Sequence, residues 1–156
     1  MIKLDGVVVR GLCAASGQGE YAVSYPGGTI AMQKKGFVAL GVPDVTKWHN
    51  GTINVSLRNS VHITNPTFRL DDFEWSPGEV ETFDLLRCVI GHKGQSYDGY
   101  IYRPHPSVHA VHKSDLLELV AEKIPGLSYG DAITVSADKN ALSLLPSSSS
   151  LGMQPL

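Results

Sequence analysis

A chain of 156 residues with 42% hydrophobic content suits one modest core, and its net charge of −2 gives no electrostatic ground for a nucleic-acid or membrane partner. No apolar run approaches the ~20 residues that a membrane helix needs. Sixteen glycines and nine prolines cut the sequence into short runs, which favours strands and turns over long helices.

Taken from the N-terminus, Met1 to Asp5 meets a charge before any apolar run develops, so no signal peptide is expected. Cys13 and Cys88 lie in apolar stretches and read as buried, reduced thiols of a cytoplasmic protein. Residues 1–60 hold six Lys/Arg against three Asp/Glu, a mild bias that suits a phosphate-bearing small ligand. Val7-Val8-Val9 predicts a first strand, and Glu20 to Tyr25 a second after a small, flexible Gly11–Gly19 segment. Thr29 is positioned to cap a short helix through Lys35, with Gly36 as its stop.

The clearest strand is Thr52 to Leu57. Ile53, Val55 and Leu57 alternate with Thr52, Asn54 and Ser56, so one face is apolar and the other polar. Phe68 to Trp75 predicts another strand, ending at Ser76-Pro77-Gly78. Val80 to Ile90 and Tyr97 to Arg103 form a hairpin across Gly91-His92-Lys93-Gly94. One further helix is expected, with Ser114 capping Asp115 to Glu122. Its apolar residues at 116, 117, 120 and 121 face a core, while Asp115, Glu118 and Glu122 share the opposite side. Ala132 to Val135 is a last strand. Residues 1–140 are thus expected to form one domain, with a Ser/Pro-containing tail at 141–156 that has little to bury.

Two features point to ligand chemistry. Ser16-Gly17-Gln18-Gly19 offers unobstructed backbone N–H groups to an anion, but no Gly-Lys-Ser/Thr follows and no helix starts there. On the strand at 52–57, Thr52 and Asn54 point the same way, about 7 Å apart at Cα. Their neutral oxygens suit Mg²⁺, which keeps most of its ligands on phosphate and water. Without further context the same pattern also describes a solvated strand face. His105, His109 and His112 crowd one segment and raise a metal-enzyme alternative, but neither cysteine is near them.

In the order of its motifs the chain resembles the archaeal CTP-dependent riboflavin kinases, a cradle-loop barrel family. Residues 4–136 carry the resemblance. Gly6-Val7-Val8-Val9 leading to Ser16-Gly17-Gln18-Gly19-Glu20-Tyr21 is like the family's strand and glycine loop, and Gly51-Thr52-Ile53-Asn54-Val55 is like its Gly-Thr-Leu-Asn motif. Asp98-Gly99-Tyr100-Ile101-Tyr102-Arg103-Pro104 is like its Asp-Gly-Ala strand. His112 to Ala121, followed by Tyr129-Gly130-Asp131, is like its His-x-x-Glu-x-x-Glu-x-x-Ala helix start. The glycine loop lacks the family's third glycine, and Glu122-Lys123-Ile124-Pro125-Gly126 has no arginine where the family carries Pro-x-x-Leu-Arg.

The resemblance implies a mainly β fold, a small closed six-stranded cradle-loop barrel with one or two short helices. It implies nucleotide binding at Gly17, Gln18, Gly19, Glu20 and Lys123, flavin contacts at Ser107, His112 and Glu118, and Mg²⁺ at Thr52 and Asn54. The expected activity is transfer of a phosphoryl group from a nucleoside triphosphate, CTP in the family, to riboflavin, giving FMN. Such catalysis rests on positioning and charge neutralisation, so few strong side chains are required. The alternative is a non-catalytic module that binds flavin or nucleotide on the same barrel.

Overall fold

The computed structural model describes residues 1–10, 29–105 and 116–146. In chain order these form β1 (Ile2–Val9), α1 (Thr29–Leu40), a 3-10 turn at Val45–Lys47, β2 (Ile53–Leu57), β3 (Asn59–Ile63) and β4 (Phe68–Ser76). There follow β5 (Glu79–His92), β6 (Gln95–His105), β7 (Leu116–Ala121), β8 (Ala132–Ala137) and β9 (Leu142–Pro146). The strands β1, β2, β7, β6, β5 and β8 pair in that order and β8 returns to β1. The result is a closed six-stranded antiparallel barrel, which leaves no free edge in its wall.

Strand alternation explains why the wall has two different faces. Inside, Val55 and Leu57 of β2, Leu86, Cys88 and Ile90 of β5, and Leu117 and Leu119 of β7 fill one apolar core. Each fully buried side chain of this size contributes about 2 kcal/mol. Outside, Phe83, Leu85, Tyr100, Tyr102 and Val120 form a second apolar layer under α1 and the 3-10 turn. Phe37 of α1 meets Phe83 edge-on at 5.5 Å, and Phe83 stacks on Tyr102 at 5.7 Å. β5 is long enough to serve two neighbours besides β6: its first half pairs with β4, and Val89–Gly91 pair with β8.

Three expectations are corrected. The segment after Ser114 is not a helix: Leu116–Ala121 is a strand, inserted between β2 and β6. Its residues are buried on both faces, with Leu117, Leu119 and Ala121 in the inner core and Val120 in the outer layer. Such a run carries no readable period of its own. Secondly, α1 does not stop at Gly36. That glycine lies against β4, where an added Cβ would meet Phe73 Cε2 at 2.8 Å, so it marks a close approach. The stop is Gly41, with φ +92, where Gly41 N–H bonds Val38 O and Val42 N–H bonds Phe37 O. These are the two bonds of a Schellman cap. Thirdly, the segment from residue 141 begins with structure: β9 pairs with β3, a strand that sequence reading did not find, and Leu142 joins the inner core.

Among the described residues, no helix is long and apolar enough to cross a membrane. Cys88 is buried, and burial, with the charge of Asp98, pushes its thiol up to about 12, so it is inert at neutral pH. The second strand expected at Glu20–Tyr25 and the residue Cys13 lie outside the described residues.

Candidate functional site

The polar face of β2 meets the only carboxylate of β7. Asn54 and Glu118 are direct ladder partners, and Val9 at the end of β1 is the partner of Asn54 on its other side. Val9, Asn54 and Glu118 therefore form one row across three strands of the barrel wall. Thr52 Oγ1 donates to Glu118 Oε1 at 3.3 Å, and Asn54 Nδ2 donates to Thr52 Oγ1 at 3.5 Å. Asn54 Oδ1 is left free for another partner among the described residues. All three side chains are half-buried.

Glu118 is the electrostatic centre of this cluster. Burial raises its pKa to about 7, opposed by the Thr52 hydroxyl and the charge of Arg103 and reinforced by Glu81. The outer layer beside it is rigidly held. The Tyr102 hydroxyl donates to Gln33 Oε1 of α1 at 2.7 Å, and both residues are buried. Burial first, then Glu118 and Glu81, hold the Tyr102 phenol well above its ordinary pKa, so it acts as a neutral donor. Lys34 of α1 donates to Trp48 O at 2.7 Å, which pins the chain just ahead of Gly51 and Thr52.

The chain matches no protein-family model and no curated protein.

Thr52, Asn54 and Glu118, separated by up to 66 positions, are thus brought together. Lys123 is exposed in the loop after β7, and no described hydrogen bond or ion pair ties it to the cluster. Gly17, Gln18, Gly19 and Glu20, with Ser107 and His112, lie outside the described residues. Among the described residues, Arg10 is one position beyond the ladder partner of Asn54, and Leu116 is two positions before Glu118.

The donor set fits Mg²⁺ held chiefly by phosphate and water, because it offers a hydroxyl, an amide oxygen and one carboxylate. No three His, Cys, Asp or Glu side chains among the described residues gather as a transition-metal site would require. His105, the described member of the histidine segment, bonds Asp84 Oδ2 through Nε2 at 2.5 Å. Sequence reading missed Asp84, Gln33 and Tyr102. Asp84 had a signal, a lone charge inside Phe83-Asp84-Leu85-Leu86. A groove of about 410 Å³ lined by Lys3, Asp5, Gly91, Lys93, Ser96 and Thr134 lies towards the other end of β1 from Val9.

Proposed function

We propose that this chain is a riboflavin-kinase-like phosphotransferase that moves the γ-phosphoryl group of a nucleoside triphosphate to riboflavin. The observation that carries the reading is the Thr52–Glu118 hydrogen bond. It joins two of the four motifs on which the resemblance rests.

In this reading the riboflavin 5′-hydroxyl oxygen forms the new bond to the γ-phosphorus. The bond from that phosphorus to the β,γ-bridging oxygen breaks, and the nucleoside diphosphate leaves with the electron pair. Glu118 accepts a hydrogen bond from the hydroxyl and then its proton, a task suited to a carboxyl with pKa about 7. Thr52 orients that carboxylate by donating to Oε1. Thr52 Oγ1 and Asn54 Oδ1 are the protein oxygens that would hold Mg²⁺, which when bound neutralises charge on the phosphate oxygens. Tyr102 and Gln33 keep the neighbouring wall dry and fixed.

A second reading, a binder of flavin or nucleotide without turnover, is favoured by the absence of an arginine in Glu122–Gly126. One experiment separates the two. The purified protein is incubated with riboflavin, Mg²⁺ and CTP, ATP, GTP or UTP in turn, and FMN is measured by chromatography. FMN with at least one nucleotide is expected. A thermal shift with riboflavin but no FMN would select the binder, and neither FMN nor a shift would end both readings.

A further inference from the structure

A second polar cluster lies on the opposite face of the wall, and it does not depend on the function just proposed. Arg69 of β4, Asp84 of β5 and Arg103 of β6 are consecutive ladder partners, so they form one row across three strands. His105 is two residues beyond Arg103, on the same face. Asp84 is 3% exposed, at the bottom of the cluster. The side chains of Arg69 and His105, 54% and 42% exposed, form its rim.

Among the described residues, the hydrogen bonding of Asp84 is incomplete. Oδ2 is held by His105 Nε2, but Oδ1 is buried and has no hydrogen-bond partner among the described residues. Arg69 Nε is 3.8 Å from Oδ1, too long for a hydrogen bond, and instead bonds Asp71 Oδ1 at 3.1 Å. Arg103 spends one N–H on Val61 O at 3.3 Å. A buried acceptor left unpaired is costly and calls for an explanation. Meanwhile each guanidinium has five N–H donors, more than these contacts use.

We propose that Arg69, Asp84, Arg103 and His105 form a binding site for a hydrogen-phosphate group, either free or at the end of a monoester. The site offers several donors around one acceptor. The complementary ligand presents several acceptor oxygens and one O–H. A phosphate that retains a proton has both: its bare oxygens accept from Arg69 and Arg103, and its P–OH donates to Asp84 Oδ1. Sulfate is fully ionised at neutral pH and a phosphodiester has no P–OH, so each would set a bare oxygen against the carboxylate. Discrimination between phosphate and sulfate is therefore built into the unpaired oxygen.

The test is calorimetric titration of the full chain at pH 7 with inorganic phosphate, glycerol 3-phosphate, sulfate and dimethyl phosphate. Phosphate, the monoester or both should bind on the order of tenfold or more tighter than sulfate and the diester. The tighter of the first two identifies the source of the group. Asp84→Asn supplies an amide donor in place of the acceptor and should let sulfate bind at least as well as phosphate. Arg69→Ala, at an exposed rim position, should weaken phosphate on the order of tenfold with an unchanged circular dichroism spectrum. Asn54→Ala should bind phosphate like the parent, which keeps this test apart from that of the kinase reading. Equal binding of sulfate and phosphate by the parent would mean an adventitious ion only. That outcome, or no binding of either, overturns the proposal.

Discussion

Two carboxylates on the same sheet, Glu118 half-buried and Asp84 buried, have contrasting surroundings. Glu118 faces outward, next to an aromatic layer under α1; a hydroxyl and an amide lie beside it, and the charges of Arg103 and Glu81 act on it in opposite senses. Its pKa rises because burial there opposes the charge. Asp84 faces inward at the end of the barrel, where ladder partners on both sides are arginines and His105 caps one oxygen. A wall one strand thick therefore carries a carboxyl with a raised pKa on one face and a carboxylate set between two arginines on the other.

That contrast can be broken at either carboxylate. The largest effect is expected at the oxygen donor beside Glu118: Asn54→Ala should lower FMN formation on the order of 100-fold while the melting temperature stays close to the parent's. Next is the pH dependence. The native Glu118 carboxyl holds its proton more tightly than it does in the unfolded chain, since its pKa is raised from 4.5 to about 7. Its contribution to stability is complete below pH 4.5, is lost as the pH rises to 7, and is flat above. The loss is about 3 kcal/mol. Urea midpoints at pH 5, 6, 7 and 8 should fall for the parent and stay level for Glu118→Gln.

On the inner face, Asp84→Ala leaves Arg103 and His105 without their carboxylate and should cost about 2 kcal/mol in urea titration at pH 7, moderated because the rim is solvated. A smaller change sharpens the picture of the outer layer. Tyr102→Phe removes the donor to buried Gln33 Oε1 and should cost about 1 kcal/mol. It should also leave the Asp84 cluster's response to phosphate untouched.

Local pattern was sufficient for much of the wall. The alternation of Ile53, Val55 and Leu57 with Thr52 and Asn54 placed the polar pair on one face, and the hairpin of β5 and β6 was legible from its Gly-His-Lys-Gly turn. The pairing of Asn54 with Glu118 was not, because sequence placed Glu118 on a helix. Helical spacing at 116, 117, 120 and 121 and a serine cap outweighed a strand that has no alternation of its own. β9 was missed for a related reason, since Leu144 to Ser150 reads as a polar tail unless β3 is present to pair with Leu142–Pro146.

What the amino acids determined alone is therefore the strands β1, β2, β4, β5, β6 and β8 in outline, the two-faced segment from Thr52 to Leu57, and a glycine and proline density that favours a small β fold. Only the tertiary structure decided that Leu116–Ala121 is extended, that Glu118 lies beside Asn54, and that Asp84 sits between two arginines. The reason is that a strand buried on both sides takes its conformation from the ladder bonds of its neighbours, and those are set by residues far away in the chain.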